Sequence, residues 1–365
     1  MPIQEMQYSN PPSDGKFALV LLNWFRENGR DLPWRGTHDA YAIWLSEIIL
    51  QQTRVQQGWD YWLRFMHRWP TVEQLAAATE DEVLREWQGL GYYSRARNLH
   101  FAARQIVEMG GFPRTFETIR SLKGVGDYTA AAIGSMAFDL PVAVVDGNVY
   151  RVLARYFGIS TPINTTEGKK EFAQLAQALL PPNEAAAYNQ AIMDFGAIQC
   201  TPQSPHCMLC PLQESCSAYR LNRIAELPVK LKKLKITERR FTYIYIRYAK
   251  DANHPVLTAI RRRGEGDIWQ GLWEPYLVEE ADDAFPSFVK SDSGQLQLIS
   301  KDFRHVLTHR ILYCDFYLWQ TTVKPELTAD YQWVDEHELE EYALPRMIEL
   351  LLQQLTSTNI NINNK

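Results

Sequence analysis

Four of the five cysteines lie close together in the sequence and could share one metal centre. They are separated by six, two and five residues and are Cys200, Cys207, Cys210 and Cys216. Soft thiolate ligands suit zinc or an iron–sulfur cluster. An all-cysteine zinc site usually contains two CxxC pairs, whereas this segment contains one. The spacing therefore favours an iron–sulfur cluster, with zinc as the alternative, and we expect the fifth cysteine, Cys314, to be a small core residue.

Two carboxylates could supply acid and electrostatic chemistry. Glu47 lies in WLSEIILQQT (44–53), where apolar residues surround it at helical spacing. Ionising a carboxylate among apolar groups is costly, so its pKa should rise, as a general acid requires. The alternative is a surface glutamate on an amphipathic helix. Asp146 begins a predicted helix in VVDGNVYRVLARYF (144–157), where its structural alternative is an N-cap.

A turn with two glycines precedes Asp146. Gly124 and Gly126 lie in SLKGVGDYTAAAIGSMAF (121–138), just before a helix rich in small residues. Glycine lets the backbone approach a ligand closely, and the N-terminus of the following helix directs free N–H groups toward an anion. A DNA phosphate is such an anion. A GxG turn alone is weak evidence, because it is more often a simple connection.

The elements that must position these residues form two regions. Up to about residue 225, apolar residues recur at helical spacing, as in KFALVLLNWFREN (16–28). Beyond about residue 228, apolar and polar residues alternate, as in FTYIYIRY (241–248). We therefore predict a helical domain (1–228), a basic linker (229–240), a smaller α+β domain (241–356) and a polar tail (357–365).

Composition and charge narrow the possible partners. With 46% hydrophobic and 22% charged residues, the chain of 365 residues is typical of globular proteins. The net charge of −5 argues against nucleic acid, but residues 229–250 contain eight Lys or Arg and one acidic residue. The sequence has neither a membrane span nor a signal-peptide pattern. We therefore expect a cytoplasmic protein without a membrane partner, associated with the nucleoid if it is bacterial.

The cysteine spacing, the glycine turn and the aspartate eighteen residues after Tyr128 together resemble the helix-hairpin-helix DNA glycosylases that have an iron–sulfur loop. LPWR (32–35) followed by WLSEIILQQT further resembles the catalytic segment of the adenine DNA glycosylase family. The resemblance implies a mainly α helix-hairpin-helix glycosylase fold with an iron–sulfur loop (200–216) and a smaller α+β Nudix-like C-terminal domain. It also implies a structural 4Fe–4S cluster on the four cysteines and double-stranded DNA as the partner.

The same resemblance implies roles for four residues. Glu47 would protonate the departing adenine at N7. Asp146 would stay ionised and stabilise the sugar cation, with a transient covalent bond as an alternative. Tyr128 and Asn148 would position Asp146 and the incoming water. Bifunctional relatives have a lysine at the position of Tyr128 and form an imine, which a tyrosine cannot do.

Further residues are assigned to the duplex by resemblance. Gln52 and Tyr92 are the candidates for wedge residues that stabilise a flipped-out base, and Leu90 lies near Tyr92 in WQGLGYYSRARNL (87–99). Trp34, Arg35 and Gln190 are candidates for the adenine pocket. The remaining DNA-contact candidates of the helical domain are Thr53, Gly124 and Gly126.

The C-terminal region resembles a Nudix domain that has lost its metal site. VLTAIRRRGEGDIWQGLWEPYLVEE (256–280) resembles the early Nudix strands, but no RExxEE run occurs between 264 and 300. We therefore do not expect a magnesium-dependent pyrophosphatase. The family reads 8-oxoguanine with a Phe-Ser-His loop, for which this chain has Leu307, Thr308 and His309. Leu307 departs from that pattern.

The resemblance thus implies a monomeric, monofunctional glycosylase that removes adenine opposite 8-oxoguanine or guanine. One alternative is an endonuclease III-like glycosylase and AP lyase for oxidised pyrimidines, against which Tyr128 argues. Another is an inert lesion-binding or redox-sensing iron–sulfur protein, against which the pair of Glu47 and Asp146 argues.

Overall fold

The chain divides into two compact units, described here one at a time. One unit is Met1–Ala77 with Asn98–Lys232, and the other is Ala78–Arg97 with Lys233–Lys365. The structure, a computed structural model, describes residues 15–231, 236–278, 285–290 and 294–357. The centre of the predicted basic linker (232–235) and residues 358–365 of the predicted polar tail lie outside the described residues.

Helices dominate the described part of the first unit, as the spacing of apolar residues predicts. Within the described residues of the whole chain, the helices are α1 (Lys16–Asn28), α2 (Ala40–Leu50), α3 (Val55–Arg68), α4 (Val72–Ala77), α5 (Glu80–Glu86), α6 (Ser94–Glu108), α7 (Phe116–Arg120), α8 (Asp127–Phe138), α9 (Gly147–Phe157), α10 (Thr166–Leu179), α11 (Ala185–Asp194), α12 (Ser217–Arg220) and α13 (Arg346–Ser357). None of them is both long and apolar enough to cross a membrane.

The central helix of the first unit is α2, which is apolar on nearly every side. Asp39 caps its N-terminus by accepting a hydrogen bond from the Tyr41 N–H, at 3.0 Å. Its residues from Ala40 to Ile49 are all buried. It packs on α8, where alanines at 130–132 and Gly134 leave room for a close approach. A helix that is apolar all round must be buried, so any polar side chain on α2 is buried with it.

The second unit is built on a mixed seven-stranded sheet. Its strands are β1 (Thr237–Tyr248), β2 (Leu257–Arg262), β3 (Trp273–Glu274), β4 (Tyr276–Val278), β5 (Gly294–Val306), β6 (Arg310–Thr321) and β7 (Tyr331–Asp335). The order along the sheet is β3-β2-β1-β6-β5, while β4 pairs with β1 and β7 pairs with β2. The neighbours β1 and β6 are parallel, with Phe241 opposite Cys314. The predicted sequence of a helical region followed by an α+β region is confirmed.

One face of this sheet carries the core of the second unit. Met347, Ile348 and Leu351 of α13 are fully buried against the side chains of β1 and β6. Cys314 lies in the same core with no exposed surface, which confirms the prediction that it is a core residue. Its burial raises the pKa of the thiol, so the side chain behaves as a small apolar group.

Candidate active site

Glu47 is the buried acid on α2. It is 7% exposed. Burial raises its pKa to about 7; a hydrogen bond from Tyr128 opposes the rise, the charge of Asp146 adds to it, and the charge of Arg35 opposes it. This agrees with the expectation from its apolar neighbours in the sequence. A carboxyl group with a pKa near neutrality can hold and donate a proton at physiological pH.

Asp146 is the N-cap of α9, and both of its carboxylate oxygens are engaged. Oδ1 accepts a hydrogen bond from the Val149 N–H at 2.8 Å, and Oδ2 accepts one from Asn148 Nδ2 at 2.7 Å. The Asn148 amide is oriented in turn by Arg151, whose Nη2 donates to its Oδ1 at 2.7 Å. Burial raises the pKa of Asp146, while the hydrogen bonds from Val149 and Asn148 oppose the rise. The structural alternative, an N-cap, is therefore real, and the same contacts fix the direction of the carboxylate.

Tyr128 connects the two carboxylates. It lies in the first turn of α8 and shares a hydrogen bond with Glu47, and its hydroxyl also contacts Met193 Sδ at 3.4 Å. Burial and the charges of Glu47 and Asp146 hold the pKa of Tyr128 well above its usual range. The phenol is therefore neutral and can donate a proton in a hydrogen bond. The fold thus brings together three residues that are far apart in the sequence.

Asp194 is a part of this site that sequence reasoning missed. Its side chain is fully buried and accepts a two-pronged pair of bonds from Arg35, at 2.6 and 2.7 Å. Arg30 donates to the same carboxylate through Nε and its backbone N–H, each at 2.9 Å. Burial acts to raise the pKa of Asp194, but the bonds from Arg35 and Arg30 outweigh it and lower the pKa. The available signal was an aspartate enclosed by apolar residues in AIMDFGAI (191–198).

The other residues assigned to the adenine pocket lie close to this clamp in the sequence or on the same helix. Trp34 is buried and packs on Trp59 and Trp62, with ring centroids at 5.9 and 5.7 Å. Gln190 is half-buried on α11, one helical turn before Asp194. The Asp194 clamp therefore holds Arg35 in place beside a rigid aromatic cluster.

The two glycines of the predicted phosphate-binding turn differ in what the fold requires of them. Gly124 has φ +79°, and a Cβ there would lie 2.8 Å from the Cβ of Asn98. Gly126 is the N-cap of α8 in an extended conformation, and a Cβ there would meet nothing within 4 Å. The fold therefore requires glycine at 124 but leaves open, exposed space at 126.

Both predicted wedge residues have left-handed backbone conformations, which are uncommon for residues with a side chain. Gln52, with φ 57°, is exposed in the turn after α2, where the half-buried Thr53 donates its N–H to Leu50 O at 3.1 Å. Tyr92, in the second unit, has φ 49° and is 45% exposed. Leu90 is buried and so packs inside the protein.

The predicted reading loop is the tight turn between β5 and β6. Leu307 donates its N–H to Arg310 O at 2.8 Å, and Thr308 and His309 are exposed at the tip. The Leu307 side chain packs against the core of the sheet, so the departure from phenylalanine keeps an apolar contact. The turn borders a cleft of about 1490 Å³ in the second unit, into which Tyr92 also faces.

The four clustered cysteines are reduced and half-buried. Together with Arg155 and Phe195 they line a cavity of about 400 Å³. Arg155 Nη1 lies 3.4 Å from Cys200 Sγ. Burial raises the pKa of Cys210 to about 12 and also raises those of Cys207 and Cys216. Thiolates here therefore need a bound cation, which displaces the protons.

Among the residues that the structure describes, no three His, Cys, Asp or Glu side chains come close enough together to hold a single metal ion. The thiols instead border a space between them. An all-thiolate donor set around a cavity fits a cluster that contains several iron atoms.

Three regions of the chain match known protein families. Residues 45–182 match the HhH-GPD superfamily of base excision DNA repair proteins. Residues 200–216 match the iron–sulfur binding domain of endonuclease III, and residues 243–354 match the NUDIX domain. These matches confirm the predicted helix-hairpin-helix glycosylase fold, the iron–sulfur binding loop and the Nudix-like domain.

Among solved structures, a thermostable thymine-DNA glycosylase is 33% identical, with a TM-score of 0.53 over 56% of this chain and 96% of that one. The adenine DNA glycosylase of Mus musculus is 47% identical over 56% of this chain, which spans 42% of the length of that relative. The adenine DNA glycosylase of Buchnera aphidicola from Acyrthosiphon pisum is 30% identical over 92% of this chain and 97% of that one. Because this last match extends through both units and nearly the whole of the relative, the chain belongs to the adenine DNA glycosylase family.

Proposed function

We propose that this protein hydrolyses the N-glycosidic bond of adenine that lies opposite 8-oxoguanine or guanine in double-stranded DNA. The observation that carries the proposal is the buried Glu47, with a pKa of about 7, hydrogen-bonded to Tyr128 and close enough to Asp146 for the two charges to interact. Cleavage of such a bond passes through a cation-like sugar, for which two carboxylates in different protonation states are the usual solution.

Glu47 supplies the proton. Adenine is a poor leaving group as an anion, and protonation at N7 lets it depart as a neutral base. Since the pKa of Glu47 is about 7, much of the protein carries this proton at neutral pH. After the base departs, the same carboxylate is free to orient the attacking water.

Asp146 supplies the negative charge. Hydrogen bonds from Val149 and Asn148 favour its ionised form and oppose the effect of burial on its pKa. With both oxygens held, the carboxylate can face the positive charge on the sugar without reorganising. The same position is compatible with a transient covalent bond between Asp146 and the sugar.

Tyr128 and Arg35 act as positioning residues. Tyr128 donates a hydrogen bond between the two acids, and no lysine amine is present at this position to form an imine, so hydrolysis proceeds without lyase chemistry. The Asp194 clamp holds Arg35, whose charge limits how far the pKa of Glu47 rises. Trp34 and Gln190 would complete the adenine pocket.

The partner in this proposal is double-stranded DNA, bound by a single copy of the chain. The open turn at Gly124 and Gly126 would contact a phosphate through backbone N–H groups. Gln52 and Tyr92 would occupy the space left by the flipped adenine, and Thr308 with His309 would contact the opposite base. Leu90 and Leu307 would support these contacts from the core.

The iron–sulfur loop has a structural role in this proposal. The thiols of Cys200, Cys207, Cys210 and Cys216 would hold a 4Fe–4S cluster, which when bound cross-links a loop with little regular secondary structure. Because all four protein ligands are thiolates, no open coordination position would face the substrate. Iron analysis and the visible absorbance of the purified protein test this assignment, and zinc in place of iron would contradict it.

Single-turnover cleavage of three duplexes tests the proposed activity. They contain adenine opposite 8-oxoguanine, thymine opposite 8-oxoguanine, and thymine glycol. We expect release of adenine from the first duplex alone, with the strand broken only after alkali. Failure to release adenine would overturn the proposal, and cleavage of the thymine glycol duplex would indicate the endonuclease III-like alternative.

A further inference from the structure

Residues 78–97 form a short segment of the second unit that lies between two parts of the first unit in the sequence. The segment contains α5 and Tyr92. Helix α5 has its own capping box, in which Thr79 and Glu82 exchange hydrogen bonds at 2.8 and 3.2 Å. The helix therefore has a local reason to form, and its contacts with the sheet decide where it lies.

Arg262, at the end of β2, binds the first turn of α5. Its Nη2 lies 2.9 Å from Glu80 Oε1 and 3.0 Å from Asp81 Oδ1. Its Nε donates to Gly271 O at 3.1 Å. A planar guanidinium held on one edge by a carbonyl presents the other edge to the two acids in a fixed direction. This arginine therefore anchors the start of the segment.

Gly271 lets the segment approach closely. Its φ is +81°, and a Cβ there would lie 3.3 Å from both Glu80 Oε1 and Leu84 Cδ1. Arg97, at the other end of the segment, donates to the backbone carbonyl of Gln270 and lies 3.4 Å from its side-chain oxygen. Both ends of the segment are thus held by one turn, residues 270–271, and by the arginine beside it.

Tyr92 lies between these two anchored ends. Its hydroxyl is hydrogen-bonded to the Thr308 hydroxyl at the tip of the β5–β6 turn. Because the Tyr92 backbone has a positive φ, the ring direction depends on the surrounding contacts more than on local preference. Any contact that fixes the ends of the segment therefore helps to fix Tyr92.

We propose that Arg262 and Gly271 are positioning residues for discrimination of the base opposite adenine. They hold the segment 78–97 on the sheet so that Tyr92 stays beside Thr308, and a change sensed at Thr308 reaches Tyr92 directly. This inference rests on the proposed function, because it assigns a determinant of specificity to the same reaction.

The experiment compares single-turnover excision of adenine opposite 8-oxoguanine with excision opposite guanine in the full chain. Arg262→Ala should lower the ratio of the two rates roughly threefold, a modest factor because the ion pairs are partly exposed. Gly271→Ala should lower it roughly tenfold, because the substitution adds a side chain at a positive φ against α5. Lys324→Ala, which also removes one positive charge from the second unit, is the control and should leave the ratio unchanged.

Two further variants separate positioning from general destabilisation. Arg262→Glu combined with Glu80→Arg should restore part of the ratio lost in Arg262→Glu alone. In a Tyr92→Ala background, Arg262→Ala should have no additional effect on the ratio, because the arginine acts through that tyrosine. Amide hydrogen exchange of residues 80–97 should increase in Arg262→Ala while the iron content stays constant.

The outcomes distinguish the two proposals. If the unaltered protein releases no adenine from either duplex, the proposed function fails. If it does release adenine but Arg262→Ala and Gly271→Ala keep its ratio, the positioning role is wrong. The role is also wrong if Arg262→Ala lowers the ratio equally in the presence and absence of the Tyr92 side chain.

Discussion

The Glu47 site of the first unit and the Thr308 turn of the second unit differ most in their access to water. Glu47 is 7% exposed and is surrounded by a polar network whose members are themselves held. Thr308 and His309 are exposed at the tip of a hairpin, and their neighbour Tyr92 is 45% exposed. Proton transfer needs a dry site in which burial shifts a pKa, whereas reading a base needs groups that a duplex can reach.

The difference also sets the expected cost of substitutions. In a buried and connected network, loss of one group leaves its partners without hydrogen bonds and alters their charge states. At an exposed turn, water replaces the lost partner at small cost. Substitutions at the Glu47 site should therefore act on the rate of the reaction, and those at the Thr308 turn on its selectivity.

The largest effect is expected for Glu47→Gln. The amide keeps the shape of the side chain but cannot donate an acidic proton, so single-turnover excision should fall roughly 10³-fold or more. Asp146→Asn should abolish excision likewise, because the sugar cation loses its counter-charge. Duplex affinity, measured by fluorescence anisotropy, should stay within about tenfold of the original. Glu108→Gln, an exposed glutamate on α6, is the matched control, and near-normal excision by Glu47→Gln would refute its role as the acid.

An intermediate effect is expected from pH. Glu47 acts in its protonated form, so excision should fall as the pH rises through about 7, approaching a tenfold loss for each further pH unit. Asp146 acts in its ionised form, so excision should also fall at acidic pH, which gives a bell-shaped profile. Tyr128→Phe removes a hydrogen bond that lowers the pKa of Glu47 and should move the alkaline limb to higher pH. Tyr150→Phe should leave that limb in place, and an alkaline limb that does not respond to Tyr128→Phe would contradict the assignment.

The smallest effect is expected for Thr308→Ala. The variant loses one hydroxyl from the exposed turn, so the preference for 8-oxoguanine over guanine opposite adenine should fall roughly fivefold, the effect of about one hydrogen bond. Thr308→Ser should retain most of the preference, and Thr322→Ala provides an exposed control in the same unit. A loss of the overall excision rate as large as that of Glu47→Gln would show that the two regions are not separable in this way.

Local features of the fold were predictable from the sequence because they depend on residues close together in the chain. The N-cap at Asp146, the cysteine spacing at 200–216 and the glycine turn at 124–126 each involve a short segment. Likewise, the change from helical to alternating hydrophobic patterning marks where the sheet begins. Leu307 could not be interpreted in this way, since its contact with the sheet core is made across distant strands.

The candidate site divides along the same line. The sequence by itself determined which residue types were available, namely two carboxylates, a tyrosine in place of a lysine, and four clustered thiols. Only the tertiary structure decided that Glu47 is buried, that Tyr128 bonds to it and that Asp194 holds Arg35. It also decided that residues 78–97 belong with the second unit. The physical reason is that pKa values and contacts between charges depend on burial and distance, which the packing of remote segments creates.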